Sequence, residues 1–126
     1  MKLRIHANSL RLRLTQTDVA RLRSYGRVDA EICFAPGRTL FYSIERAEDA
    51  AKVSAAFEQD AVRIVVSTDL ATRWTDSDEV AIEARQAVGP DLDLHLLIEK
   101  DFHCFHRSAE QDPDAYPNPL QTGTAS

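Results

Sequence analysis

Ten consecutive residues, Ile98-Glu99-Lys100-Asp101-Phe102-His103-Cys104-Phe105-His106-Arg107, bring together two carboxylates, two cations, two imidazoles, a thiol and two aromatic rings. Cys104 and His106 have the residue types of a nucleophile and its base. Lys100, His106 or Arg107 would favour the thiolate, and Glu99 or Asp101 would orient the histidine. The same pair would ligate zinc if Asp101, His103, Asp112 or Asp114 completed the shell. Neither pattern is complete. The usual spacing of a structural zinc site brings a second Cys or His pair, which is missing, and in an extended strand His103 and Cys104 point to opposite faces. The plainer reading makes Cys104 a small core residue packed with Phe102 and Phe105, and Cys33, between Ile32 and Phe34, a core residue as well. No cofactor or metal is expected; His103, Cys104, His106 and Asp112 are the candidates if zinc binds.

A second chemistry lies in the arginines near the start. Residues 1–27 carry seven cations against Asp18, a net +6, so the remainder sums to -11 within a total of -5. Arg4, Arg11 and Arg13 alternate with Leu and Ile and so share one strand face. Paired with Glu99 or Asp101 they would close a strand end through a bidentate contact. Left unpaired, they would hold a phosphate or carboxylate. The candidate ligand-binding set is therefore Arg4, Arg11, Arg13, Glu99, Lys100 and Asp101. Glycine-rich phosphate loops, helix-turn-helix spacing and aromatic RNA-binding motifs are missing, and an acidic protein with a local basic strip is a poor general binder of nucleic acid.

The elements that must position these residues are set by apolar spacing. Leu3 and Ile5, then Leu10, Leu12 and Leu14, alternate with polar residues and predict two half-buried strands around Ala7-Asn8-Ser9. Thr15 with Asp18 three residues on predicts a capped helix carrying Val19 and Leu22, stopped at Tyr25-Gly26. Two strands around Ala35-Pro36-Gly37-Arg38 come next. The same order recurs at an offset of 52 residues, with Arg11 aligned on Arg63, Leu22 on Trp74 and Gly37 on Gly89. Strands Val53–Phe57 and Val62–Val66 turn at Gln59-Asp60. A helix capped by Ser67 or Asp69 succeeds them, and then strands Val80–Val88 and Leu92–Ile98. The spacing thus predicts an α+β fold, mainly antiparallel, with about eight strands and two short helices. A duplicated ββαββ unit, repeats 3–46 and 55–100, would form either a barrel or two packed sheets.

At 126 residues with 44% hydrophobic content, the chain fits one domain, expected over residues 1–107, with an acidic, proline-containing tail at 108–126. No apolar run nears the roughly 20 residues that span a bilayer, and the opening alternates rather than forming a signal-peptide core, so a cytoplasmic protein without membrane contact is expected. Open sheet edges would make a homodimer reasonable.

Glu99-Lys100-Asp101-Phe102 followed by Cys104, and Asp114-Ala115-Tyr116-Pro117-Asn118-Pro119, resemble a family of small bacterial proteins of unknown function, as does the opening from Ile5 through Thr15. The resemblance covers nearly the whole chain. It implies a bacterial one-domain protein and brings no activity, cofactor or catalytic residue; His103 and His106 are not part of the pattern. The favoured expectation is a non-enzymatic module that binds a small anionic ligand or an acidic partner. The alternative is a small metal- or thiol-dependent enzyme centred on Cys104 and His106.

Overall fold

The computed structural model describes residues 1–50 and 52–102. Its elements run β1 (Lys2–His6), β2 (Ser9–Leu14), α1 (Gln16–Tyr25), β3 (Arg27–Ala35), β4 (Arg38–Ala47), β5 (Val53–Glu58), β6 (Ala61–Ser67), α2 (Thr68–Thr75), β7 (Ala81–Gly89) and β8 (Leu92–Lys100). The order ββαββ occurs twice, as the apolar spacing predicts. The four hairpins are antiparallel. They do not close into a barrel. They form two packed four-stranded sheets, ordered β1-β2-β8-β7 and β3-β4-β6-β5. Each helix carries the chain from one sheet to the other, so each sheet joins the first hairpin of one half to the second hairpin of the other. Those joins are parallel, β2 on β8 and β4 on β6, which makes both sheets mixed. At one corner the Gln86 carboxamide accepts from Ala55 N at 2.7 Å and donates to Ala55 O at 3.0 Å, tying β7 to the edge of β5.

Local chemistry explains the element ends. Thr15 Oγ1 accepts from Asp18 N, and the Asp18 carboxylate accepts from Thr15 N, a complete capping box on α1. Gly26 ends α1 at φ 78°, where a side chain would also meet Arg46 Nε at 3.1 Å. The Arg46 guanidinium there donates to Leu22 O and Arg23 O, satisfying carbonyls at the negative end of the helix dipole. Ser67 caps α2 through Leu70 N. Gly37 turns the β3–β4 hairpin at φ 75°, and Gln59 and Asp60 turn β5–β6 with φ of 50° and 64°. No helix among the described residues is long and apolar enough to cross a membrane.

Both sheets turn their apolar faces toward each other and toward the helices, burying Leu12, Leu14, Leu22, Ile44, Ile64, Val66, Trp74 and Ile98. Trp74, fully buried, is the largest of these. Lys100 lies over its ring, 5.2 Å from the centroid, and donates to Ser77 O. Away from the helices the sandwich opens, leaving Ile5 and Phe57 exposed at the hairpin ends. The expectation of a buried Cys33 fails because of its place on the strand. It succeeds the inward Ile32 on edge strand β3, so alternation turns it outward, and its thiol is exposed.

The core and the helix cap each offer a stability measurement. Replacing Trp74 with Ala empties the centre of the core and should cost about 3–5 kcal/mol, read from the urea midpoint. Burial raises the pKa of the Asp18 carboxyl, but the Met1 α-amino group, 2.7 Å from Oδ2, and the hydrogen bonds with Thr15 outweigh it, so the pKa is lowered. A lowered carboxyl pKa stabilises the fold above the unfolded value of 3.8, and that contribution disappears as pH falls through the folded value. Asp18→Asn should therefore be less stable than the parent by about 1 kcal/mol at neutral pH, with the gap narrowing in acid; a gap independent of pH would refute the assignment.

Candidate functional site: a cationic face on the first sheet

Because Leu12, Leu14, Leu96, Ile98 and Ile82 are buried in the sandwich, the alternate residues of β1, β2, β8 and β7 form its outer surface. The register arranges that surface in rows. Lys2, Arg13, Glu99 and Ala81 form one row; Arg4, Arg11, Leu97 and Glu83 the next; His6, Ser9, His95 and Arg85 the third. Two cation pairs thus stand directly opposite each other, Lys2 with Arg13 and Arg4 with Arg11, a placement that repulsion disfavours.

Glu99 is the principal neutralising group. Its side chain is only 12% exposed, and Arg13 Nε donates to Oε1 at 2.8 Å while Arg11 Nε lies 2.9 Å from the same oxygen. The Arg11 Nε–H is buried and has no aligned acceptor. Two guanidinium groups therefore converge on one oxygen, instead of forming the expected bidentate fork. Asp101 adds weaker contacts, 3.6 Å to Lys2 Nζ and 3.9 Å to Arg13 Nη1. Arg4 has no acidic partner within salt-bridge range among the described residues. Four cations, Lys2, Arg4, Arg11 and Arg13, thus face two carboxylates, an excess of two positive charges.

Beside this cluster lies a groove of about 420 Å³ whose walls include Arg4, Arg11, His6, His95, Glu83 and Leu97. At its far side His95 Nε2 stands 3.7 Å from Glu83 Oε2. A larger groove of about 860 Å³ flanks the start of α2. There Arg73 is already paired with Glu79 at 3.0 Å, and among the remaining lining residues Glu48, Asp69 and Glu83 outnumber Lys52.

The second sheet repeats the charge motif without the excess. Glu45 receives Arg63 Nη2 at 2.7 Å and Arg27 Nη1 at 3.3 Å, and Arg27 Nε also donates to Asp29 at 2.6 Å. Two cations meet two carboxylates there. Ala56, not a cation, stands opposite Arg63.

Of the expected ligand-binding residues, the fold brings Arg4, Arg11, Arg13, Glu99 and Asp101 to this face. It does not bring Lys100, which alternates onto the core side against Trp74. Lys2, His6, Ser9 and His95 join the face without having been singled out from the sequence as ligand-binding residues, and Glu83, a carboxylate expected beside the N-terminal arginines, stands in the row of Arg11. Alternation in β1 was a usable signal for Lys2 and His6; nothing local marks His95 as a neighbour of Arg11. The catalytic candidates Cys104 and His106, and the metal candidates His103 and Asp112, lie outside the described residues. Among the described residues, no three His, Cys, Asp or Glu side chains are grouped to hold a metal ion.

These features define an α+β protein of two mixed sheets with a cationic outer face. Over residues 1–120 the chain matches the model of a family of unknown function, DUF7009, and it belongs to that family. No curated protein and no solved structure matches it.

Replacing Glu99 with Gln should leave four neighbouring cations with Asp101 alone. Stability should fall by about 1–2 kcal/mol at low salt, a value discounted for the partial exposure of Arg11. Phosphate should restore more of that loss than chloride does at equal ionic strength. Denaturant midpoints in the two salts measure it, and equal recovery would reduce the effect to general screening.

Proposed function

We propose that the protein is a non-enzymatic binding module that holds a small anionic ligand on the outer face of its first sheet. The observation that carries this reading is the excess of two positive charges where Arg4 stands opposite Arg11 and Glu99 is already shared by Arg11 and Arg13. An anion seated between Arg4 and Arg11 would relieve their repulsion and accept from the accessible guanidinium nitrogens of exposed Arg4 and partly exposed Arg11. The second sheet supports the reading as an internal comparison, since Arg27 and Arg63, the arginines around its equivalent glutamate, are matched by Glu45 and Asp29. The groove's volume of about 420 Å³ favours a small molecule over an extended acidic partner.

A ligand that binds only the folded state raises its stability, by about 2.7 kcal/mol at a hundred times the dissociation constant. Thermal unfolding with added phosphate should therefore show a rise in Tm for the parent protein. Arg4→Ala and Arg11→Ala should abolish the rise, while Cys104→Ala and His106→Ala should keep it. The reverse pattern would move the function to the Cys104–His106 segment.

A further inference from the structure

Resting on that reading, we infer that the ligand is a phosphate monoester of a short molecule with an amino or hydroxyl group at its other end. Its phosphate lies between Arg4 and Arg11, and its far group is held by Glu83. Three features of one row of the sheet carry this.

The first is charge. The cluster of Lys2, Arg4, Arg11, Arg13, Glu99 and Asp101 is left with two positive charges, and a phosphate monoester near neutral pH carries close to two negative ones. With Glu83 at the far end the whole site carries one excess positive charge. The charge pattern therefore fits a ligand with about two negative charges at the Arg4 end and a positive or donor group at the Glu83 end, whereas a monocarboxylate leaves the cationic end half neutralised.

The second is geometry at the cationic end. Arg4 and Arg11 are direct cross-strand partners, so their backbones are roughly 5 Å apart and their guanidinium groups approach a ligand from neighbouring strands. A tetrahedral phosphate has three free oxygens to offer two such donors in different planes, whereas a carboxylate has two oxygens in one plane. Glu99 occupies the Nε side of Arg11 at 2.9 Å, and the Arg11 side chain is still 35% exposed, which leaves its outer nitrogens for the phosphate.

The third is the order of side chains along the row. Leu97 stands beside Arg11, and Glu83 beside Leu97, so the surface passes from cationic to apolar to acidic. Three strand spacings of roughly 4.8 Å separate the Arg4 and Glu83 backbones. Side chains reaching inward from both ends leave a span for a body of a few atoms. The Glu83 carboxylate is 68% exposed, with His95 3.7 Å away, and so remains open to a donor on the ligand.

Calorimetric titration of the full chain with O-phosphoethanolamine, inorganic phosphate, acetate and ethanolamine separates the possibilities. O-phosphoethanolamine should bind about tenfold more tightly than phosphate, and phosphate more tightly than acetate. Glu83→Gln, a change at an exposed side chain, should remove the preference for O-phosphoethanolamine over phosphate without weakening phosphate itself, since it takes a negative charge out of the groove wall. Arg4→Ala should weaken both. If phosphate and acetate bind equally, or if Glu83→Gln leaves the preference for O-phosphoethanolamine intact, the monoester assignment fails while the anion-binding reading survives. If none of the anions binds, both fail.

Discussion

Because α1 and α2 each carry the chain across from one sheet to the other, β2 finds its inner neighbour in β8, at the opposite end of the described chain. The parallel ladder from Ser9–His95 to Leu14–Lys100 is the contact on which core and site both depend. On its inner side it brings Leu12 and Leu14 against Ile98. On its outer side it sets Arg11 and Arg13 against Glu99. Since side-chain direction has a period of two, a slip of one residue would turn the arginines into the core and the leucines to the surface. The buried apolar face therefore fixes the register that the charged face needs, and the charges need not be strong contributors to stability to be well placed.

The relation between the sheets shows where the two halves part company. Arg63 and Glu45 in the second sheet correspond in position to Arg11 and Glu99 in the first, and both glutamates receive two arginines. The difference lies in the edge strands. β5 places Ala56 opposite Arg63, whereas β1 places Arg4 opposite Arg11. Like charges set opposite each other are mildly destabilising in a sheet. The same backbone arrangement tolerates a neutral residue there, so the cation at Arg4 is not required by the fold.

Local physics made much of the architecture legible in the sequence. The capping box at Thr15 and Asp18, the stop at Gly26 and the turns at Gly37 and Gln59-Asp60 each depend on residues within a few positions of one another. The alternation of Leu10, Leu12 and Leu14 with Arg11 and Arg13 also gave the shared face of those arginines. Pairing between strands was not legible. Arg13 and Glu99 are 86 residues apart, and an alternating pattern carries no information about which distant strand lies beside it. The mixed sheets and the place of His95 do not follow from the sequence for that reason. Cys33 shows a different limit. An apolar neighbourhood in sequence does not ensure burial at the open end of the sandwich, where alternation and the absence of a facing layer leave the thiol exposed. Lys100 stands with Glu99 and Asp101 among the ligand-binding candidates of the sequence, yet consecutive strand residues face opposite ways, and its ammonium group lies over the buried Trp74.

The outer face is suited to recognition by the rigidity beneath it. The strands that carry Arg11, Arg13 and Glu99 are held from below by side chains with almost no exposure, so these groups are anchored on a fixed backbone. Glu99 restrains Arg13 by an aligned hydrogen bond and draws Arg11 close without completing one. Arg11 is therefore positioned but incompletely satisfied, and Arg4 opposite it is exposed and free of an acidic partner among the described residues. On the proposed reading, binding there costs little ordering on the side of Arg11 and adds charge-assisted hydrogen bonds from its exposed nitrogens and from Arg4. A salt-bridge network meant only for stability would have matched its charges, as the second sheet does with Arg27, Arg63, Asp29 and Glu45. On the proposed anion-binding reading, the unmatched pair in the first sheet is one half of an interaction whose other half is a ligand.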